Sequence, residues 1–102
     1  MRSRELRVDF DAERRRLVVT GDVDERSLGA LRGALATYGY ERRDDLEVDL
    51  SGVTHLPSVA IGVLAVALKT SDVVGCRLDL VAQQGSVAQR TLEICTIPHR
   101  RT

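Results

Sequence analysis

The sequence predicts an α/β domain, an open mixed β-sheet of four to five strands with helices packed on one side, in the order β-β-α-β-α-β-α. Two observations support this fold class. Three short segments alternate apolar and polar residues with the period of two that half-buried strands show, and a fourth, residues 17–19, is apolar and mostly β-branched. Helical segments separate the second, third and fourth of these strands, and such β-α-β crossovers make the strands that they join parallel neighbours.

Length and composition limit the kind of protein. The 102 residues suit one domain, residues 1–102, with a core that we expect between about residues 6 and 97. Fifteen basic and fifteen acidic side chains cancel, whereas proteins that bind nucleic acid usually carry a basic excess. Aromatic residues make up only 3%, too few for base-stacking platforms. We therefore expect a soluble globular domain without direct nucleic-acid binding.

The cysteines and the apolar segments indicate the compartment. The spacing of Cys76 and Cys95 fits neither a metal site nor a disulfide framework, so we expect two buried free thiols. The longest apolar run, residues 59–68, is about half as long as a membrane span of roughly twenty residues. The sequence thus predicts a cytoplasmic protein that does not insert into a membrane, and it leaves the oligomeric state open.

The first two strands are predicted to form an antiparallel hairpin. Residues 6–10 alternate apolar and polar side chains, and residues 17–19 are apolar and mostly β-branched. The polar residues 11–14 between them are typical of a short turn, and the second strand is expected to end at Gly21.

The first helix is predicted over about residues 25 to 38. Asp24 is a plausible N-cap, because its carboxylate can accept from the free amides of the first turn. Gly39 is expected to end the helix as the residue after the C-cap. The apolar face is given by four residues at helical spacing, Leu28, Leu31, Leu35 and Tyr38.

The central part of the chain combines a strand, a loop and a very apolar helix. Residues 46–50 alternate as the third strand, and residues 51–54 are predicted to be a loop. Pro57 suits the first turn of a helix that runs from Ser58 to about residue 73 and is apolar nearly all round. One sheet cannot bury all of that surface, so part of this helix must face another helix or a partner.

Residues 78–82 alternate again and predict the fourth strand, which follows Gly75 at the end of the long helix. Ser86 is a predicted N-cap for a last helix that stops before Pro98. The short tail after Pro98 suggests that a final strand or a long last helix is missing or curtailed.

Enzyme signatures are absent from the sequence. It contains no GxxxxGK[ST] phosphate loop and no GxGxxG segment after the first strand. His55 and His99 lack the spaced partners of a metal site, and Ser58 near His55 lacks the GxSxG elbow of a serine hydrolase. We therefore expect no enzyme activity, no metal and no cofactor.

Ser58 admits two interpretations. A serine at the start of a helix is usually a cap. The same hydroxyl would also be accessible to a kinase, and the free amides of the helix N-terminus would tolerate a phosphate. That phosphate would bring nearly two negative charges to the apolar surface beside it.

Three segments carry motifs of a known family. Residues 20–24 read TGDVD, similar to a TGELD segment, and residues 48–64 read VDLSGVTHLPSVAIGVL, similar to a central Asp-Leu-Ser and Asp-Ser-Ser-Gly block. Residues 75–81, GCRLDLV, resemble the strand that follows that block. Because the segments occur in the family's order, the chain resembles STAS domains over about residues 6 to 97.

Within that family the chain resembles bacterial anti-sigma factor antagonists. The resemblance implies a protein that binds an anti-sigma factor, itself a serine kinase, and thereby releases a sigma factor. The kinase phosphorylates the first serine of the Asp-Ser-Ser-Gly motif, which falls on Ser58, and a phosphatase reverses this. The acidic loop beside that site falls on Asp22 and Asp24.

Three positions depart from the motif: Pro57, Val59 and Ala60 replace its Asp, second Ser and Gly. Two hypotheses follow. In one, Ser58 is still the phosphorylated switch; in the other, this member binds constitutively or answers another signal. The predicted docking patch combines apolar residues around the helix start with an acidic rim, namely Leu56, Pro57, Val59, Ile61, Gly62 and Val63 with Asp22 and Asp24.

Two alternative functions remain from the sequence. Some STAS domains are accessory subunits of larger assemblies, such as lipid-transport ATPase complexes or stress-sensing complexes. Others are small-ligand sensors, for which the scarcity of aromatic residues and the lack of a phosphate loop are unfavourable features.

Overall fold

A computed structural model describes residues 5–102. The elements in chain order are strands β1 (Arg7–Asp11) and β2 (Arg16–Asp22), helix α1 (Leu28–Leu35), a π-helical turn (Ala36–Tyr40), strand β3 (Leu46–His55), helix α2 (Ser58–Val74), strand β4 (Leu78–Ala82), helix α3 (Val87–Ile94) and strand β5 (Arg100–Arg101).

The strands form one five-stranded mixed sheet in the order β1-β2-β3-β4-β5. β1 and β2 are antiparallel, and every later pair is parallel. The three helices pack on one side of the sheet, so the predicted fold class is confirmed. The β1–β2 hairpin closes through a turn in which the Asp11 carboxylate accepts from the amides of Glu13 and Arg14.

The first helix differs from its prediction at both ends. Regular α-helix begins only at Leu28, because residues 25–27 form a separate turn. Gly39 does not end the helix in the left-handed conformation; it lies buried inside the π-helical turn, with φ −119° and ψ −105°. This turn is stabilised by tertiary contacts that sequence spacing does not report, including the stacking of Tyr38 on Phe10 of β1 with ring centroids 4.2 Å apart.

The third strand is longer than predicted. Residues 51–54 continue β3 to His55 and are not a loop. The extension pairs with β2 through Thr20 opposite Gly52, across irregularities in the register. The Ser51 hydroxyl also accepts from the amide of Gln83 at 2.7 Å, so β3 is joined to the end of β4 as well. Backbone pairing with β2 and the side-chain bond to Gln83 therefore outweigh the local turn preference of Ser-Gly.

A final strand is present but is only two residues long, which agrees with the prediction of a curtailed end. Arg100 and Arg101 pair with Val81 and Ala82 of β4. On the face of the sheet opposite the helices, the guanidinium of Arg100 bridges the carboxylates of Glu47 and Asp79. Two residues and these ion pairs suffice to add an edge strand.

The core lies between the sheet and the helices. Its fully buried members come from every layer and include Leu17, Val19, Leu31, Val48, Leu50, Leu64, Leu80 and Leu92. As predicted, Gly75 ends α2 in the left-handed conformation, at φ 86°. The cysteine prediction is wrong in one respect: both thiols are free, but Cys76 is only half-buried and Cys95 is exposed.

Candidate functional site

The loop before α2 places a serine hydroxyl in solvent. Pro57 takes the N-cap position of α2 with extended backbone (φ −74°, ψ 167°), and its carbonyl accepts from the amides of Ala60 and Ile61 at 2.9 and 3.2 Å. Proline offers no side-chain acceptor, so the N-cap residue does not cap this helix through its side chain. Ser58 follows as the first helical residue and is exposed. The interpretation of Ser58 as a cap therefore fails.

The carboxyl end of β2 lies against the end of β3, three residues before Ser58. Asp22 is the register partner of His55, and its carboxylate accepts from the hydroxyl of Thr54. The next amide, that of Val23, donates to the carbonyl of His55 at 3.0 Å. These contacts hold the acidic loop beside the strand that leads into α2, and Asp22 is half-buried there.

Asp24 caps the turn that precedes α1. Its Oδ1 accepts from the amide of Ser27 at 3.0 Å, and its own amide donates to the Ser27 hydroxyl at 2.9 Å. The backbone amide of Ser27, followed by its hydroxyl, holds the pKa of Asp24 below its ordinary value, because both donors favour the ionised carboxylate. Asp24 is fully exposed, so its charge faces solvent at this edge of the molecule.

The structure separates the six predicted apolar docking residues by burial. Leu56, Ile61 and Val63 lie in the hydrophobic core and offer little side-chain surface. Pro57 is half-buried, and the other two members are exposed, Val59 with 52% of its surface accessible and Gly62 beside it one turn further on. A contact surface at this end of α2 therefore consists of Val59 and Gly62, and the buried members of the set pack beneath it.

An apolar groove of about 500 Å³ extends from this surface between α1 and α2. Val59, Gly62 and Val66 line it from α2, and Leu28, Leu35 and Tyr40 line it from the other side. The groove and the exposure of Val66 were not predicted from the sequence. The signal that could have indicated them is the recurrence of valine at positions 59, 66 and 73, in a helix with more apolar surface than one sheet can bury.

Other chemistry is sparse among residues 5–102. No group of three or more His, Cys, Asp or Glu side chains there is placed to hold a metal ion. Within the same residues, no helix is long and apolar enough to cross a bilayer. On the open face of the sheet, Arg16 and Arg100 share the carboxylate of Glu47.

Fold and site together define a small α/β domain whose exposed serine begins a helix with an apolar outer face. The chain belongs to the STAS domain family: the family model described as "Mlab, STAS domain" matches residues 6–95. This confirms the resemblance drawn from the three sequence segments.

Solved structures with the same fold include proteins described as anti-sigma factor antagonists. One from Thermotoga maritima matches with a TM-score of 0.68 at 14% identity, over 94% of this chain and 84% of its own. One from Mycobacterium paratuberculosis has a TM-score of 0.67 at 22% identity, over 98% and 87%. SpoIIAA, an anti-sigma factor antagonist solved in its unphosphorylated form, has a TM-score of 0.69 at 12% identity, over 96% and 86%.

Proposed function

We propose that this protein is an anti-sigma factor antagonist, a regulatory module that binds an anti-sigma factor and so releases a sigma factor. Its contact surface is the outward face at the start of α2 with the acidic loop at Asp22 and Asp24. The observation that carries the proposal is the exposed hydroxyl of Ser58 beside the exposed side chain of Val59, at the position of the family's phosphorylated serine.

Phosphorylation of Ser58 by a serine kinase, the anti-sigma factor itself, is the proposed switch. The amides of Ser58 and Val59 lie in the first turn of α2, where an α-helix has no internal acceptors for them. A phosphate there is compatible with the folded domain, because helix N-termini favour negative charge. The group adds about −1.5 to −2 charge, which opposes the burial of the adjacent apolar surface against a partner.

The departures from the family motif bear on the kinase. Pro57 is the N-cap of α2, and its extended backbone keeps the residues before Ser58 out of the helix. Ala60 is buried beneath the first turn of α2. Neither of them covers the exposed hydroxyl. We infer that the substitutions alter which kinase is accepted and leave Ser58 available for modification.

A second candidate function is that of a STAS subunit in a larger assembly, such as a lipid-transport ATPase complex. The matching family model carries the name Mlab, whereas the structural neighbours are described as anti-sigma factor antagonists. Both functions use a protein-binding surface, and they differ in the partner.

Affinity capture from the native cell extract tests the proposal with wild type, Ser58→Asp and Ser86→Asp in parallel. Ser86 also begins a helix, and aspartate there preserves the cap, so this variant controls for added charge. We expect wild type and Ser86→Asp to recover an anti-sigma factor, and Ser58→Asp to lose it without a change in thermal midpoint. Recovery of an ATPase subunit in its place would support the second function.

A kinase assay tests the switch separately. The protein is incubated with the recovered anti-sigma factor and ATP, and the phosphate is located by mass spectrometry. Phosphate on Ser58 is the expected result. Modification at another residue with Ser58 untouched would remove the switch while leaving the binding function in place.

A further inference from the structure

Three valines form an exposed line along α2. Val59, Val66 and Val73 are 52%, 64% and 77% exposed, and successive members are seven residues apart. Seven residues advance an α-helix by almost two full turns, with a drift of only about 20°. The line runs from Val59 to Val73, fourteen steps along the helix, and is therefore about 21 Å long at about 1.5 Å per step.

The first half of this line is one wall of the groove between α1 and α2. Gly62 lies between Val59 and Val66, and its missing side chain leaves open space: a Cβ placed there would meet nothing within 4 Å. Leu28 and Leu35 form the opposite wall. A seven-residue repeat of β-branched side chains beside a shallow apolar channel is the pattern that a second helix packs against, side chain into gap.

Two cations lie at or near the groove. Arg32 of α1 lines it, and Lys69 is exposed on α2 between Val66 and Val73. Neither cation makes an ion pair within residues 5–102. Asp72, three residues after Lys69, is also exposed but lies about 100° around the helix from Val73. The surface is thus apolar along its centre, with cations beside it at two points.

We propose that the groove binds an amphipathic helix of a partner protein, with apolar residues at heptad spacing and acidic residues on its flanks. The apolar residues pack between Val59, Gly62 and Val66, and the acidic flanks pair with Arg32 and Lys69. This rests on the proposed function in that the occupant is a segment of the regulatory partner, and it specifies the chemistry of that segment.

The proposed occupant also explains how a phosphate on Ser58 would act. Ser58 immediately precedes Val59, the first residue of the line. A doubly charged phosphate at that end would repel an acidic helix, in addition to opposing burial of the valine beside it. A basic or neutral partner helix would not be repelled in this way.

Two synthetic helical peptides test the charge requirement. Each has about three heptads with leucine at the core positions; one carries glutamate at the flanking positions and the other lysine, and the like charges keep each peptide from pairing with itself. Titration into the full-length ¹⁵N-labelled protein is followed by NMR. We expect the acidic peptide to shift amides of residues 28–40 and 59–73 and to bind at least about tenfold more tightly than the basic one.

Three variants locate the binding. Val66→Glu should weaken the acidic peptide by at least about tenfold, whereas Ile94→Glu should not, because Ile94 is an exposed apolar residue on α3 outside the groove. The double substitution Arg32→Glu and Lys69→Glu should reverse the preference between the two peptides. Both groove variants change exposed positions, so their thermal midpoints should stay close to that of wild type.

Three results would overturn the inference: shifts outside the groove, equal or better binding of the basic peptide, or no shifts at millimolar peptide. A concentration-dependent dimer in sedimentation that Val66→Glu abolishes would assign the valine line to a second copy of this chain.

These results are independent of the capture experiment. If Ser58→Asp loses the anti-sigma factor while the peptides fail, only the groove inference falls; if the acidic peptide binds while another class of partner is captured, only the proposed function falls.

Discussion

Asp24 and Ser27 exchange two hydrogen bonds, each backbone amide donating to the other residue's side chain, at 2.9 and 3.0 Å. This reciprocal arrangement has the form of a capping box, here closing the turn before α1. It connects the acidic loop to the helix that forms one wall of the groove, and it lowers the pKa of the Asp24 carboxyl.

The first prediction concerns the pKa of Asp24. Because that pKa is lowered in the folded protein, the ionised carboxylate stabilises the fold above the ordinary pKa of aspartate, and this contribution disappears as the pH falls through the lowered value. Ser27→Ala removes the hydroxyl and keeps the backbone donor, which is the larger cause. We therefore expect the Asp24 pKa to rise part of the way towards its ordinary value in a ¹³C-carboxyl NMR titration. An unchanged pKa would show that the hydroxyl has no part in the shift.

The second prediction compares the serines at the starts of α2 and α3. Ser86 is a true N-cap, since its hydroxyl accepts from the amide of Gln89 at 3.2 Å, whereas the Ser58 hydroxyl caps nothing. Ser86→Ala should lower the free energy of unfolding by about 1 kcal/mol. Ser58→Ala should change it by less than about 0.5 kcal/mol. Urea denaturation measures both, and equal losses would contradict the assignment of the two caps.

The third prediction uses two helical glycines. A Cβ at Gly62 or Gly33 would meet nothing within 4 Å, so alanine fits at either position. Each substitution should stabilise the protein by about 0.5–1 kcal/mol, because glycine is costly inside a helix. Only Gly62→Ala places a methyl group in the groove and should alter binding of the acidic peptide. A matching effect of Gly33→Ala on the peptide would show that the groove is not the binding site.

The fourth prediction concerns the close approach of β2 to β3. A Cβ at Gly52 would lie 2.7 Å from Cγ2 of Thr20, which is too close for either strand to accept without a shift. Gly52→Ala should therefore destabilise the protein by about 1–3 kcal/mol. Thr20→Ser removes the methyl group that causes the clash, so the double variant should recover part of the loss. A double-mutant cycle by denaturation measures this coupling, and simple additivity would exclude the contact as the cause.

Local signals in the sequence predicted the order of the elements and several of their ends. Ser86 as N-cap and Gly75 as the left-handed residue after α2 are confirmed, since capping depends on atoms only a few residues away. The two ends of the first helix were wrong, and so was the loop predicted at residues 51–54. At the C-terminal end of that helix and at residues 51–54, stacking or pairing with distant residues outweighs local preference. Residues 25–27 are instead held in a turn by the local hydrogen bonds between Asp24 and Ser27.

The candidate site was likewise predictable only in part: local motifs located it, whereas the burial of its residues depended on the tertiary structure. Motif resemblance placed Ser58 at the start of α2 and the acidic loop at Asp22 and Asp24. It did not separate the exposed Val59 and Gly62 from the buried Leu56, Ile61 and Val63. In a helix that is apolar on nearly every side, hydrophobic periodicity gives no direction for the outer face.

By itself the sequence determined the α/β class, the family, the element order and the serine at the start of α2, because periodicity, caps and short motifs are properties of neighbouring residues. Only the tertiary structure decided the length of β3, the π-helical turn at residues 36–40 and the valine line left open beside α1. Those features depend on which surfaces the sheet and the other helices cover, and coverage is set by contacts between residues far apart in the chain.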